Sequence, residues 1–511
     1  MGQEAPFDAL VAAATWRTTV AVVLGAIFKM RTLEGVGIAG LMLCGGALLL
    51  QLINYQIAFG CLVFVVALII GCHVELEGWR WQMAPAYVLT TVLVIYEGAD
   101  VFWGYQAPTL VGAVVISFAL AALVACVVMP VFALPAPSGP YAIGTQTRCV
   151  VDESRREQLS DDPNAKRELV IQIWYPASVV EGKRSISPYR DRRITTLKSS
   201  HLALIKTHST IDAHMRPSPY GYPLLLYTPS WSGIRTECTI QIEEMVSHGY
   251  VVVAIDHPYS SNIVAFPDGR IVKRRFRGDE DYSSDEAVDA FLRVADEQVR
   301  LRAEDARFVL DALEGLNQSD PQGLLTRALS LDHVGIFGFS LGGGTAAQAC
   351  AVDGRFKAGL NMGGMIAGVV PSQGTAVPFF FMFEGIYATA PYVGDVDTAD
   401  RIREGRREVK FARRQFDWMK ASLERCGGYW LTIDGISHLG FCDAAFFSPL
   451  RSYGTNPLRA ARIISRYSLA FWDKRLRGIK QPILDEIPIC LPGASGQAWE
   501  PECSSRRQQR D

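Results

Sequence analysis

A serine in a glycine-rich turn is the residue of this 511-residue sequence best placed for chemistry. Residues 338–342 read G-F-S-L-G, between a run of β-branched and aromatic residues and an Ala-rich segment that can begin a helix. This is the strand–turn–helix context of a nucleophile elbow, in which a strained turn raises the serine hydroxyl above a sheet. The N–H of the next residue, Leu341, then points at the oxyanion that forms after attack. The pattern predicts a nucleophilic Ser340, and the alternative is a purely structural turn.

A nucleophilic serine requires a base, and hydrolases with this turn order their triad as serine, acid, histidine. His438 is the only one of the eight histidines that follows Ser340 in the sequence. It comes a short turn after the apolar run Tyr429–Ile433, where the loop beyond a last strand would bring the imidazole over the serine. We therefore expect His438 to be the general base.

A second oxyanion donor is expected from the loop after the predicted strand Pro223–Tyr227. Residues Thr228–Gly233 read T-P-S-W-S-G, a turn-forming composition. The backbone N–H of Trp231 is the candidate donor. The alternative is that Trp231 only packs on the edge of the sheet.

Four further stretches carry recognisable motifs. They are Ile173–Pro176 (IWYP), Ser232–Thr236 (SGIRT), Gly249–Pro258 (GYVVVAIDHP) and Ser437–Asp443 (SHLGFCD). Together with the elbow, they resemble the plasma-type platelet-activating factor acetylhydrolase (isoform II) family of α/β-hydrolases, over roughly residues 140–478. The resemblance implies a serine esterase or phospholipase A2-like lipase that needs neither metal nor cofactor. It also implies Ser340 as nucleophile, His438 as base, and the N–H groups of Trp231 and Leu341 as the oxyanion hole.

The triad acid is where the chain departs from this family. The family pattern has an aspartate just beyond the strand that follows the elbow helix, whereas this chain has Gly363 there. Glu384 ends the next predicted strand, where many other hydrolases of this fold carry their acid, and it is the leading substitute. Asn361, as a neutral partner of the histidine, is an alternative. Weaker candidates are Asp395, Asp397 and Asp434.

Asp256 and His257 also follow a predicted strand, in the manner of an active-site rim. The resemblance gives neither residue a place in the triad. We interpret both as structural.

Membrane insertion is predicted by five apolar runs that precede about residue 135. They are Thr18–Phe28, Val36–Ile53, Ile57–Cys72, Ala84–Tyr96 and Leu110–Val131. Several approach the length needed to cross a bilayer, and Arg17 weakens only the first, so we expect four to five transmembrane helices. A cleaved signal peptide would offer one such run.

Basic residues in the short loops set the expected orientation. Lys29, Arg31 and Arg80 lie in loops that would face the cytoplasm, whereas the loop with Glu97 and Asp100 has no lysine or arginine. This predicts an integral membrane protein, of a bacterial inner membrane, with its hydrolase part in the cytoplasm.

The elements that must position the site fall into four predicted regions. They are a transmembrane region at residues 1–134, a Pro-rich linker at 135–145, a catalytic domain at 146–491 and a disordered tail at 492–511. In the catalytic domain, short apolar runs alternate with longer amphipathic ones, which is typical of a mostly parallel sheet with helices on both faces. Predicted strands are Leu169–Tyr175, Pro223–Tyr227, Tyr250–Ile255, Val334–Phe337, Lys357–Leu360, Val377–Phe383 and Tyr429–Ile433. The sequence thus predicts an α/β-hydrolase fold preceded by a helical membrane bundle.

Charge and cysteine content argue against several other classes. The net charge of −2 gives no reason to expect a nucleic-acid partner. The 11 cysteines show no C-x-x-C spacing, so we expect no metal site, and the seven outside the apolar region fit reduced thiols. A lipid bilayer and a lipid-like or small ester are the expected partners, and the sequence identifies no protein partner.

The predicted function is a membrane-anchored serine ester hydrolase that acts through an acyl-enzyme on carboxylic esters with short-acyl or phospholipid-like character. A catalytically impaired hydrolase fold, serving as a membrane-bound binding or scaffold module, is the alternative suggested by Gly363. A transporter is disfavoured, because the apolar runs are few and nearly free of ionisable residues.

Overall fold

The computed structural model describes residues 31–50, 56–103, 110–178, 185–276, 281–385, 399–449, 456–485 and 494–499 of the chain. The chain divides into two units. Unit 1 comprises Met1–Leu134, Pro188–Lys206 and Phe446–Ser452. Unit 2 comprises Pro135–Ser187, Thr207–Ala445 and Tyr453–Asp511.

Unit 1 contains four helices long and apolar enough to cross a membrane. They are α1 (Thr32–Leu49), α2 (Gln56–Leu76), α3 (Ala84–Trp103) and α4 (Leu110–Val128). Leu41 and Val63 are buried between helices, while Leu43, Phe64 and Ile95 are exposed on the outside. Apolar residues on all sides of a helix fit a lipid surrounding rather than water. The predicted run Thr18–Phe28 lies outside the described residues.

Two segments that the sequence analysis assigned to the catalytic domain belong to unit 1. In Pro188–Lys206, the ring of Tyr189 lies 6.2 Å from that of Phe132. His201 Nδ1 lies 3.2 Å from Gln82 Nε2. Contacts so distant in sequence left no local pattern from which to predict them.

Unit 2 is built on a sheet of 11 strands in the order β13-β12-β11-β10-β9-β5-β6-β2-β1-β4-β3, with β7 and β8 forming a separate pair. The strands are β1 (Ala142–Arg156), β2 (Lys166–Ala177), β3 (Ile186–Pro188), β4 (Lys206–Ile211), β5 (Tyr222–Thr228), β6 (Val251–Asp256), β7 (Ile263–Ala265), β8 (Ile271–Lys273), β9 (Leu329–Phe339), β10 (Phe356–Met362), β11 (Phe379–Glu384), β12 (Gly428–Ile433) and β13 (Ala494–Trp499). The six neighbours from β12 to β6 are parallel, and β2 joins β6 antiparallel. All seven predicted strands are present.

Helices cover both faces of this sheet. They are α5 (Thr239–Ser247), α6 (Asp285–Gln318), α7 (Leu341–Val352), α8 (Val370–Gln373), α9 (Ala399–Cys426), α10 (Pro457–Leu476) and α11 (Pro482–Asp485). Along β5, Leu225 and Tyr227 enter the core shared with α10, whereas Leu224 and Leu226 enter the core shared with α6 and α7. Strands buried on both faces read as continuous apolar runs, which explains why the sequence revealed them. The α/β-hydrolase architecture is therefore confirmed, with a helical bundle before it.

The structure corrects two predicted boundaries. Strand β1 begins at Ala142, which pairs with Ala177 of β2, so the linker predicted to reach residue 145 ends earlier. Residues 494–499 of the tail predicted to be disordered form β13, antiparallel to β12. Pairing satisfies backbone N–H and C=O groups of β12 that would otherwise end the sheet unpaired, a tertiary effect without a strong local sequence signal.

Candidate active site

Ser340 lies at the sharp turn between β9 and α7. Its backbone has φ 55° and ψ −126°, a strained conformation for a residue with a side chain. A Cβ on Gly342 would lie 2.0 Å from the carbonyl oxygen of Thr228, and one on Gly338 would lie 2.2 Å from the carbonyl carbon of Gly342. Both flanking positions therefore require glycine, as the elbow pattern predicts.

His438 begins a 3₁₀ turn, His438–Phe441, shortly after β12. Its ring lies 4.9 Å from the ring of Phe339, the residue immediately before the elbow serine. Its Nδ1 lies 3.4 Å from Oε1 of Glu384. Glu384 ends β11, where it is paired in register with Ile433 at the end of β12. The carboxyl ends of two adjacent parallel strands thus bring the imidazole and the carboxylate together.

Two of the other candidates for the acid, Asn361 and Asp434, are among the described residues. The side-chain amide of Asn361 is engaged with the backbone of Gly364, donating to its oxygen at 2.8 Å and accepting from its nitrogen at 2.6 Å. Asp434 is exposed. Asp395 and Asp397 lie outside the described residues. Among the described residues, Glu384 is the carboxylate at ion-pair distance from His438.

A cavity of about 440 Å³ joins these side chains. Ser340, Glu384 and His438 all line it, together with Trp231 and Leu341. One face of α9 forms another wall, through Glu408, Phe411, Ala412, Gln415, Phe416 and Met419. The spacing of these positions is that of a single helical face, so α9 presents one stripe of side chains to the cavity. The structure therefore brings the predicted site residues into one space lined by aromatic, aliphatic and polar side chains.

Trp231, in the loop after β5, and Leu341, at the start of α7, both line this cavity. The N–H of Trp231 has no acceptor among the described residues, and Leu341 begins α7, so its N–H has no partner within the helix. Two charged residues, the buried Arg302 and the partly buried Glu237, hold the loop. Glu237 accepts from Ser230 Oγ at 2.9 Å and from Tyr227 Oη at 2.9 Å, and Arg302 donates to the carbonyl of Trp231 at 2.8 Å.

Burial shifts the pKa of both charged residues. Desolvation raises the pKa of Glu237, against the hydrogen bonds that it accepts from Ser230. Desolvation lowers the pKa of Arg302 to about 10, so the guanidinium still carries its charge at neutral pH. Sequence reasoning missed both residues. A signal existed for Arg302, which occupies a core-facing position of an amphipathic helix, in phase with Ala295, Val299 and Ala306.

A second arrangement in unit 2 looks superficially like a triad. Thr228 Oγ1 lies 3.1 Å from His257 Nε2, and His257 Nδ1 lies 2.8 Å from Asp305 Oδ2. These three residues are fully buried and do not line the cavity. Burial lowers the pKa of His257 to about 4, whereas Arg167 and His257 hold the pKa of Asp305 well below its usual range despite burial. These observations support a structural interpretation of His257.

One group of side chains in the described residues has the types and spacing of metal ligands, and it lies in unit 1. Glu34, His73 and Glu77 bring their ligand atoms within 4.8 Å of one another. Arg80 Nη2 already donates to Glu34 at 3.0 Å, and His73 contacts Glu77 with one nitrogen and Tyr87 with the other. Since a guanidinium supplies the compensating charge, the group is better described as a buried ion-pair network than as a metal site.

Comparisons with known proteins agree with this architecture. A solved ferulic acid esterase from Streptomyces cinnamoneus superposes with a TM-score of 0.57 at 26% identity, covering 71% of this chain and 98% of that one. A probable 1-alkyl-2-acetylglycerophosphocholine esterase of Arthroderma benhamiae is 25% identical over 265 residues, which is 48% of this chain and 62% of the relative. A platelet-activating factor acetylhydrolase of Bos taurus is 25% identical over 179 residues, 30% of this chain and 37% of the relative.

The chain thus spans less than two thirds of the length of either curated relative. The family pattern itself reaches further, since that of platelet-activating factor acetylhydrolase, isoform II, matches residues 127–481. This range includes the elbow, the cavity and all the strands from β1 to β12. The chain belongs to the platelet-activating factor acetylhydrolase, isoform II, family.

Proposed function

We propose that this protein is a membrane-anchored serine hydrolase that cleaves carboxylic esters through an acyl-enzyme. The observation that carries the proposal is the meeting, in one cavity, of an elbow serine with φ 55° and a histidine whose Nδ1 lies 3.4 Å from a buried carboxylate. Membership of an esterase family supports the same conclusion.

The proposed reaction begins when Ser340 Oγ attacks the ester carbonyl carbon while His438 takes the hydroxyl proton. Glu384 accepts the Nδ1–H of His438, which fixes the tautomer and stabilises the imidazolium. The N–H groups of Trp231 and Leu341 donate to the oxyanion. The ester C–O bond then breaks, and the alcohol leaves with the proton from His438. Water attacks the acyl-enzyme with His438 again as base, which releases the acid and restores Ser340.

Labelling of the full chain in detergent micelles with a fluorophosphonate probe tests the nucleophile. We expect labelling and ester hydrolysis by the wild type, and loss of both in Ser340→Ala. Ser372→Ala, at an exposed serine that does not line the cavity, is the matched control and should behave as wild type. A folded wild-type chain that neither labels nor hydrolyses esters would instead favour the membrane-bound binding module.

The cavity supports an apolar acyl group on the substrate. Trp231, Phe291, Phe383, Phe411 and Phe416 are among the residues that line it. The names of the relatives point to two acyl classes, acetyl on a glycerophosphocholine and an aromatic acid. Turnover of p-nitrophenyl acetate, octanoate and ferulate by the full chain distinguishes these classes, and a phospholipid-like 2-acetyl ester tests the lipid-like substrate directly.

Anchoring in a membrane is supported by the four apolar helices of unit 1. We propose that they hold the hydrolase unit beside a bilayer, on the cytoplasmic side that the basic residues Arg31 and Arg80 favour. Fusions at the C-terminus test the side. A fluorescent protein should fluoresce and alkaline phosphatase should be inactive, and the reverse result would place the hydrolase outside.

A further inference from the structure

One arginine of α6, Arg302, forms hydrogen bonds with the loop that carries the Trp231 N–H. Arg302 is fully buried. Its Nη1 donates to the carbonyl oxygens of Pro229 and Ser230, both at 2.9 Å, and its Nη2 donates to that of Trp231 at 2.8 Å. Three successive carbonyl groups of the loop therefore point at a single guanidinium.

Ser260 completes the set of acceptors. Its Oγ accepts from Arg302 Nε at 3.1 Å and from Nη2 at 2.9 Å, and donates in turn to Gln298. These five hydrogen bonds account for the five N–H groups of a guanidinium. Lysine has only three donors and no planar fork, so it cannot replace this set.

The direction of the carbonyl groups determines the direction of the adjacent N–H groups. A trans peptide is planar, with its C=O and N–H on opposite sides. Because the Ser230 carbonyl points at Arg302, the N–H of Trp231 in the same peptide must point away from Arg302. The preceding peptide is fixed at both ends, since its carbonyl from Pro229 accepts from Arg302 and the N–H of Ser230 donates to Glu237.

We infer that Arg302, opposed by Glu237, is a positioning residue that aims the Trp231 N–H at the oxyanion. This inference rests on the proposed function and adds to it the device that holds one half of the oxyanion hole. Preorganised donors stabilise a transition state because their orientation costs nothing at the moment of reaction. Arg302 does not line the cavity, so its effect passes through the loop.

The variants Arg302→Lys and Arg302→Met test the inference in the full chain. With p-nitrophenyl butyrate we expect kcat to fall about 10- to 100-fold in Arg302→Lys and further in Arg302→Met, with KM within about threefold of wild type. An arylboronic acid forms a tetrahedral adduct with the serine, so its Ki should rise by about the same factor as kcat falls. If Arg302 only stabilised the fold, replacing it would lower the Tm but would not lower kcat at a nearly constant KM.

Arg148→Lys is the matched control, because Arg148 is also buried and binds Asp320 with two hydrogen bonds of 2.9 and 2.8 Å, away from the cavity. It should lower the Tm and leave kcat unchanged. If both Arg302 variants fail to fold, Glu237→Gln provides the second measurement, since it removes the opposing charge and should also lower kcat without changing KM.

The outcomes separate the two proposals. If the wild type hydrolyses the ester and Arg302→Lys matches it in kcat and boronate Ki, the role of Arg302 is wrong and the proposed function stands. The same conclusion follows if Arg148→Lys loses as much kcat as Arg302→Lys. A folded wild type without hydrolysis overturns the proposed function together with this inference.

Discussion

A Cβ placed on Gly363 would lie 3.1 Å from Nδ1 of His438, the same nitrogen that lies 3.4 Å from Glu384 Oε1. Two neighbouring strand ends, those of β10 and β11, therefore approach the same side of the imidazole. At the end of β10, Gly363 has no side chain to contact the imidazole, whereas at the end of β11 the carboxylate of Glu384 lies beside it. In the family pattern the acid follows the strand equivalent to β10, whereas the acid that we propose for this chain, Glu384, ends β11.

This relationship predicts a loss and a rescue. Glu384→Gln keeps the shape of the side chain but removes the acceptor charge, so kcat for ester hydrolysis should fall about 10²- to 10⁴-fold. Adding Gly363→Asp should raise kcat about tenfold or more above that of Glu384→Gln, because a carboxylate would again lie beside Nδ1. Aspartate also tolerates the positive φ of 66° at this position better than most residues.

The matched control for the rescue is Glu384→Gln with Gly363→Asn, which has the same size without the charge. It should show no recovery. Unchanged turnover in Glu384→Gln alone, with kcat measured on p-nitrophenyl butyrate, would mean that Glu384 is not the third member of the site.

The α9 wall of the cavity should set the accepted acyl size. Ala412→Phe adds a ring where the cavity lies, and we expect kcat/KM for p-nitrophenyl octanoate to fall about 10- to 100-fold while the acetate changes less than about twofold. Lys420→Phe, on an exposed face of the same helix, is the control and should alter neither ester. Equal losses for both esters in Ala412→Phe would show that this wall does not bind the acyl group.

The buried His257 should make stability depend on pH. The unfolded imidazole takes up a proton near pH 6.5, whereas burial lowers the folded pKa to about 4. Between these values the unfolded state binds the extra proton, so the free energy of unfolding falls as the pH decreases, by up to about 3 kcal/mol. Thermal unfolding of His257→Gln from pH 7.5 to 4.5 should have a shallower pH dependence than wild type.

His208 supplies a comparison of opposite sign. Its hydrogen bond with Glu243, at 2.8 Å, raises its pKa. It stabilises the folded state below pH 6.5, and that contribution is lost as the pH rises through the folded pKa. His208→Gln should therefore change the Tm mainly at acidic pH.

If the Tm of His257→Gln depends on pH as steeply as that of the wild type, the imidazole of His257 is not neutral in the folded chain.

The ion pair between Glu34 and Arg80 should contribute to the stability of unit 1. Each side chain is 1% exposed, and Arg80 Nη2 donates to Glu34 Oε2 at 3.0 Å. Glu34→Gln leaves the Arg80 charge buried without its partner, which typically costs about 3–5 kcal/mol. The melting temperature of the full chain in detergent should fall clearly, whereas Glu75→Gln, at an exposed position of α2, should leave it unchanged.

Local patterns were enough to predict the strands and the positions of Ser340 and His438. Strands buried on both faces have apolar runs, and an elbow requires glycines on both sides of its serine, so each leaves a signature in adjacent residues. Glu384 could be named only as one choice among several, because its meeting with His438 depends on the register of two strands separated by α9. That register is a tertiary property.

Other features of the site left weaker signals or none. Arg302 interrupts an apolar helical stripe, which marks it as unusual, but nothing in the sequence says which carbonyl groups it meets. The unit 1 membership of Pro188–Lys206 likewise depends on contacts with residues over a hundred positions away, such as that of His201 with Gln82.

Strand β13 has a consequence for the whole molecule. By pairing along Gly428–Ile433, it replaces β12 as the outermost strand on one side of the sheet of unit 2. A chain truncated before Ala494 would instead have β12 as its edge strand, with unpaired amides and carbonyls to which a strand of a second molecule could add. Within the described chain, the residues of β13 thus determine which backbone groups the sheet presents at this edge.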